Sequence, residues 1–196
     1  MSTEHHPRSR PAAPGPAECP APVLSVVTTS AESTRGLGAR LAPLLRAGDL
    51  VLLSGDLGAG KTTLAQGVGS ALGVRGRVSS PTFVIARAHP CPGRGPGLIH
   101  VDAYRLESLE EVDALDLEAS MEDCVTLVEW GRGKVEALAA DRLEIEVRRP
   151  RGGLGTAASR TTDLAAADDG RREIIVRGLG QRWAGAALEG LGEDDG

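Results

Sequence analysis

Aromatic side chains are nearly absent from this chain, whose 196 residues include one Tyr, one Phe and two Trp. So little ring surface leaves almost nothing on which nucleobases could stack, which argues against a single-stranded nucleic-acid groove. Basic blocks are missing too. The longest are the pairs Arg148-Arg149 and Arg171-Arg172, and 22 Lys and Arg against 27 Asp and Glu give a net charge of −5. No footprint for a polyanion is written here, so RNA, if it matters, is expected to be held by a partner. The 3 cysteines (Cys19, Cys91, Cys124) form no C-x-x-C pair, so neither a disulfide framework nor a zinc site is indicated and a reducing cytoplasm suits the chain. No run of about 18 apolar residues could span a bilayer. The polar Met1 to Arg10 leads into Pro-rich sequence instead of an apolar signal core, so export is not expected.

The length suits one domain with a real core and is too short for two ordinary ones. Residues 1–22 carry Pro7, Pro11, Pro14, Pro16, Pro20 and Pro22 with hardly a large apolar side chain, and read as a disordered tail. His5 and His6 in that tail are bystanders. The single domain is expected over 23–190, followed by an acidic tail at 191–196. Val23 to Thr28 has strand composition. Thr29-x-x-Glu32 matches a capping box opening a helix with Leu37, Leu41, Leu44 and Leu45 on one stripe. Asp49 to Ser54 reads as a short buried strand, Thr63 to Leu72 as a helix closed by Gly73 and Gly76, and Thr82 to Ala88 as a strand. Residues 90–97, rich in Pro and Gly, can be only an exposed connection between neighbouring strands. Leu98 to Val101 and Val125 to Val128 are apolar runs ending at Asp102 and Glu129, and the acidic stretch 106–122 between them suggests one or two short helices. Asp141 to Arg148 alternates in the manner of a half-exposed strand that Glu173 to Arg177 could pair with, across a long mobile loop at 150–170. Gln181 to Leu188 suggests a last short helix. There is no internal repeat.

Within this frame Gly55-Asp56-Leu57-Gly58-Ala59-Gly60-Lys61-Thr62 is a complete Walker A motif. Its glycines, with Gly67 further on, let backbone N–H groups curl toward one point and form an anion-binding nest. Lys61 would reach the β- and γ-phosphates as a point charge, Thr62 would place its hydroxyl on Mg²⁺, and the next helix would aim its N-terminus at the phosphates. The strand before and the helix after supply the context that this mechanics requires. The cofactors expected are therefore ATP and Mg²⁺, held by Gly58, Ala59, Gly60, Lys61, Thr62 and Thr63. GTP is disfavoured, because no Asn-Lys-x-Asp tetrapeptide follows the later strands.

Phosphate binding alone is not hydrolysis, which also needs an acid at the metal and a group that positions the nucleophile. Asp102 and Glu129 both stand where a ligand lies in an α/β sheet, beyond the carboxyl ends of strands. One of them should orient Mg²⁺ or its waters and the other polarise the attacking water; the sequence does not say which. His100 shares a face with Asp102 and Tyr104, and a core histidine bonded to backbone is the expectation there over an acid-base partner. Arg105 is expected in a structural ion pair before an arginine finger. Trp130 lies against the adenine or ribose, or packs on the edge of the domain; both readings stay open.

The blocks GDLGAGKTT at 55–63, SPTF at 80–83, HVDAYRL at 100–106 and VEW at 128–130 together resemble the bacterial TsaE (YjeE) family, over about half of the chain. The resemblance implies an α/β fold: a P-loop NTPase-like three-layer sandwich with a mostly parallel central sheet and antiparallel C-terminal strands. It implies a small ATPase, weak alone, required for threonylcarbamoyladenosine in tRNAs that read codons beginning with A. Such a protein joins TsaB and TsaD and resets that assembly by hydrolysing ATP. By position Lys61 is the family's lysine, Thr62 its Mg²⁺-binding threonine, Asp102 and Glu129 its two acids, and Trp130 a tryptophan near the nucleotide. Ser80-Pro81-Thr82 falls on a switch-like loop that senses the γ-phosphate. One departure is Gly131, where many relatives have proline after the tryptophan. Two rival classes remain: a P-loop kinase of a small metabolite with Asp102 as base, and a binding module in which ATP only orders the Ser80 loop.

Overall fold

The computed structural model describes residues 23–80, 85–105, 121–149, 170–184 and 188–192. Seven strands form one sheet: β1 (Val23–Thr28), β2 (Leu50–Ser54), β3 (Ala86–His89), β4 (Gly97–Asp102), β5 (Cys124–Glu129), β6 (Arg142–Arg148) and β7 (Arg172–Leu179), in the order β1-β7-β6-β2-β5-β4-β3. The central four, β6, β2, β5 and β4, run parallel, whereas β7, β1 and β3 pair antiparallel toward the two edges. Parallel strands are covered on both faces, and that is why Leu50–Leu53 reads as an unbroken apolar run and Val125–Val128 is apolar but for the buried Thr126. In β6 the alternation survives: Leu143, Ile145 and Val147 are buried, while Glu144 and Glu146 pair outward with Arg142 and Arg148.

Two helices, α1 (Ala31–Leu41) and α2 (Lys61–Leu72), cover one face of the sheet. They meet backbone to backbone, since a Cβ on Gly38 would sit 2.3 Å from Leu64 O and one on Gly67 would sit 2.0 Å from Arg35 O. Leu37, Leu41, Leu64, Ala65 and Val68 then pack with Val51, Leu53, Leu98, Val125 and Leu127 of the sheet. The opposite face is closed among the described residues by Ala103, Met121 and Val135 over Leu50, Leu52, Ile99, Val101 and Val128. Because side chains alternate along a strand, His100, Asp102 and Glu129 fall on the same side as Leu98 and Leu127, toward α2.

Several local expectations shift. The capping box is Ser30/Ser33, one residue later than Thr29/Glu32: Ser30 Oγ accepts the Ser33 N–H at 3.0 Å and Ser33 Oγ accepts the Ser30 N–H at 3.0 Å. That register wins because Thr34 then bonds both Ser30 O (2.9 Å) and the Thr28 hydroxyl (2.8 Å), while Glu32 is engaged by Arg35. Helix α1 ends at Leu41, so Leu44 closes a 3₁₀ turn beginning at Ala42 and Pro43. Helix α2 starts two residues before the expected Thr63 and stops at Gly73, whose φ of 71° only glycine adopts readily. The strand expected over Thr82 to Ala88 is described only as Ala86–His89, residues 81–84 lying outside the described part. Of the helix expected over Gln181 to Leu188, residues 181–184 form a turn instead and 185–187 lie outside the described residues; a 3₁₀ segment stands at Glu189–Gly192. Leu191, expected in the acidic tail, packs into the helix-side core. The expectations for residues 1–22, 106–120, 150–169 and 193–196 lie outside the described residues.

Candidate functional site

Register brings the site together. Leu53 of β2 stands opposite Glu129 of β5, and Glu129 opposite Asp102 of β4, so the carboxyl ends of three adjacent parallel strands deliver the loop and both acids to one edge. Leaving β2, the chain turns at Gly55 (φ 135°), where a Cβ would lie 2.2 Å from Val147 O, and this is a position only glycine can occupy. The Ala59 N–H closes a turn on Asp56 O at 3.1 Å, and α2 begins at once with Leu64 N–H on Gly60 O at 3.0 Å. The first N–H groups of α2 therefore face the loop's concavity.

Lys61 is only 4% exposed, and its Nζ donates to Gly55 O at 2.8 Å and Asp56 O at 3.0 Å. Burial pushes its pKa below 10.5 by desolvating the ammonium, against the opposing pull of Glu129, Asp102 and Asp56. An ammonium held among carbonyls and stripped of water is primed for a stronger anion. Its fourth side is covered by Trp130, whose ring centroid lies 3.9 Å from Nζ. Trp130 is the one non-glycine among the described residues at positive φ (61°), held there by its N–H on Leu53 O at 3.1 Å. Tyr104 meets it edge-on at 5.4 Å.

Glu129 is 3% exposed, and one oxygen takes two bonds: Oε1 accepts the Thr62 hydroxyl at 2.8 Å and His100 Nε2 at 2.9 Å. A carboxylate only accepts, so His100 Nε2 is the donor in this bond, while Nδ1 is buried without a hydrogen-bond partner among the described residues. His100 thus bonds a carboxylate, not backbone as expected. Asp102 sits at the same rim, where its Oδ1 accepts the Tyr104 N–H at 3.0 Å and starts a 3₁₀ turn over Ala103–Arg105. Lys134 pins that turn through Ala103 O at 2.6 Å.

These groups enclose a cavity of about 770 Å³. Gly58, Gly60, Lys61, Thr62 and Thr63 form its loop wall, and Asp102, Tyr104, Arg105, Glu129 and Trp130 form the facing wall. Ser80 reaches its rim, while Pro81 and Thr82 lie outside the described residues.

Residues 28–154 match the family model described as "Threonylcarbamoyl adenosine biosynthesis protein TsaE". The chain belongs to the TsaE family. A Streptomyces coelicolor TsaE, named a tRNA threonylcarbamoyladenosine biosynthesis protein, is 58% identical over 158 residues, which span 80% of this chain and 98% of that protein. A Bacillus subtilis protein of the same name is 35% identical across 80% of this chain and 86% of its own length. A Mycobacterium tuberculosis TsaE shares 48% identity across 60% of this chain and 74% of its own. Among solved structures, the crystal structure of Bacillus subtilis YdiB superposes with a TM-score of 0.60 at 29% identity, covering 87% of this chain and 92% of the other. The α/β class with a sheet parallel at its centre is what the TsaE-like neighbour shares.

Within this TsaE fold the site residues named from sequence converge, with one exception. Ala59 is fully buried behind the loop and does not line the cavity; its N–H is spent on Asp56 and its carbonyl faces β7. Trp130 lies against the lysine ammonium. It also lines the cavity. Two further residues escaped the sequence. Lys134 and Arg172, which donates from Nε to Ala59 O at 2.8 Å, act on backbone carbonyls distant along the chain, and no local pattern announces such a bond.

Proposed function

We propose that this chain is the ATP-hydrolysing subunit of tRNA threonylcarbamoyladenosine biosynthesis, working in the cytoplasm with TsaB and TsaD and resetting their assembly between cycles. The observation that carries the reading is the 2.8 Å bond from the Thr62 hydroxyl to Glu129 Oε1 beside the buried Lys61, at the mouth of a cavity large enough for a nucleotide. Membership of a family whose members are named for this modification supports the pathway and favours it over a kinase of a small metabolite.

The donor set fits Mg²⁺. A hydroxyl and a carboxylate oxygen in contact, with a second carboxylate at the rim, are hard ligands, and no group of three or more His, Cys, Asp or Glu is gathered into a cage among the described residues. Mg²⁺ is bound in this way in phosphate sites, by one or two protein oxygens plus those of the nucleotide, whose developing charge it neutralises. Thr62 and Glu129 would hold it. Because Glu129 is committed to Thr62 and His100, Asp102 is the acid left to polarise the attacking water, fixed at the rim by its bond to the Tyr104 N–H. Lys61 exchanges its loop carbonyls for phosphate oxygens, and Trp130, already against that ammonium, covers the phosphate end of the ligand instead of the base. With few rings and an acidic balance, the chain would meet tRNA only through its partners.

The test is a reconstitution with TsaB, TsaD, tRNA and MgATP. Hydrolysis is expected to be slow for the chain alone, to rise in the assembly and to be lost in Glu129→Ala with nucleotide binding retained, and repeated rounds of modification should be lost with it. A phosphorylated small molecule as product, or no binding heat with MgATP, overturns the reading.

A further inference from the structure

We infer that Arg172, the first residue of β7, is a positioning residue for the phosphate loop: its guanidinium holds the Ala59 carbonyl outward and thereby aims the Gly60 N–H into the cavity. This deepens the nucleotide reading above and rests on it. The contact joins residues 113 apart in the chain, Nε donating to Ala59 O at 2.8 Å, while Nη1 donates to Arg171 O at 2.8 Å and sets the fork's orientation.

A trans peptide is planar, so its C=O and N–H point in opposite directions. There are no cis peptides among the described residues. Drawing the Ala59 carbonyl toward β7 therefore fixes the N–H of the same unit on the far side, where Gly60 lines the cavity between Gly58 and Lys61. That unit needs an external hold. The peptide before it is closed on Asp56 O through the Ala59 N–H, and the one after it on α2 through Gly60 O, but the Ala59–Gly60 unit lies between them at a glycine with φ 113°. Glycine offers little steric resistance to rotation of its peptides. Arg172 supplies the restraint through its Nε donor, in a planar fork that the Nη1 bond to Arg171 O keeps oriented. A Cβ built on Gly60 would lie 3.9 Å from Arg172 Nε, so the arginine packs directly against the back of the loop.

The experiment uses the full chain with Arg172→Met, which removes charge and donor at similar length, and Arg172→Lys, which keeps both in reduced form. Calorimetry with MgATP, MgADP and magnesium tripolyphosphate reads affinity, thermal melting without ligand reads stability, and amide exchange over residues 55–62 reads the loop in the nucleotide-free protein. Arg172→Met is expected to weaken all three ligands by about tenfold, the share of one charge-assisted hydrogen bond, and to speed exchange in the loop. Arg172→Lys should fall between it and the unaltered chain. A purely structural role would lower the melting temperature and leave affinity and loop exchange unmoved. If the unaltered chain binds MgATP and folded variants bind it equally well, the inference fails and the nucleotide reading stands. No binding heat in the unaltered chain sinks both. Should Arg172→Met not fold, Arg172→Lys with undiminished affinity and unchanged loop exchange overturns the inference by itself.

Discussion

The same substitution, glycine to alanine, is expected to have opposite signs at two positions in the helix pair. Gly36 is interior to α1, and a Cβ there would find its nearest neighbour, Arg40 Nη1, at 3.6 Å, an ordinary contact with the end of a flexible side chain. Gly36→Ala should then gain what helix propensity offers, about 1 kcal/mol. Gly67 on α2 is different. Its Cβ would stand 2.0 Å from Arg35 O and 2.8 Å from Arg35 C, both backbone, so relief to ordinary contact requires α1 and α2 to separate by about 1.4 Å. Overpacking of this kind costs about 1 to 3 kcal/mol, and here the whole interface must move, so a net loss of about 2 kcal/mol is expected after the propensity gain. For a chain of this size each kcal/mol is worth about 2–4 °C in melting temperature. Gly36→Ala should melt higher by about that amount, and Gly67→Ala lower by about 4–8 °C. The displacement also reaches the site, since α2 begins at Lys61 and carries Thr62, bonded to Glu129 at 2.8 Å. Nucleotide affinity should fall in Gly67→Ala and not in Gly36→Ala. Thermal melting with calorimetric titration of MgATP reads both. A Gly67→Ala protein as stable as the parent would refute the claim that backbone contact between α1 and α2 sets their spacing.

His100→Leu removes one of the two donors to Glu129 Oε1; the lost bond to a charged group, about 1.5 to 3 kcal/mol, should appear as a fall of about tenfold to 100-fold in kcat with a smaller change in KM, and His100→Gln should recover part of it. An unchanged kcat in His100→Leu would remove His100 from the mechanism. Burial holds the His89 pKa below 6.5, opposed by the Arg75 carbonyl and reinforced by the neighbouring His100 and Arg87. The unfolded chain then binds the extra proton, so this contribution is intact above pH 6.5 and is lost as pH falls from there through the lowered folded value. Urea midpoints at about pH 7.5 and about pH 5 should show a drop that His89→Gln flattens. Arg182 bonds both oxygens of Asp49 at 3.2 and 3.0 Å and Leu44 O at 2.7 Å, while Asp49 is 4% exposed. Arg182→Leu leaves a buried carboxylate short of its cation and should cost about 3 kcal/mol, read as a lower denaturant midpoint; a midpoint within error of the parent would mean that Arg46 suffices as partner.

The Walker A loop is legible because its requirements are local: glycines where φ turns positive, then lysine and hydroxyl at the first turn of a helix. The strand ends at Asp102 and Glu129 were legible because strands covered on both faces are mainly apolar, His100 and Thr126 being the buried polar exceptions, until their carboxyl ends. Short-range competition between equivalent patterns misled at Thr29/Glu32, where two overlapping registers both satisfy a capping box and the choice fell to Thr34 and Thr28. At Gln181 to Ala184 the composition allowed a helix, but the chain turns there, with Arg182 bonded to Asp49 and Trp183 in the core.

Sequence alone determined the family, the alternation of strands and helices, and which side chains could carry phosphate chemistry, since each depends on neighbours within a turn or a strand. Tertiary structure decided how those groups act on one another. That His100 and Thr62 share one oxygen of Glu129, that Trp130 covers Lys61, and that Arg172 grips the phosphate loop from behind all follow from strand order and register. These bring together residues up to 113 positions apart, and a bond made across folded space leaves no periodicity along the chain to betray it.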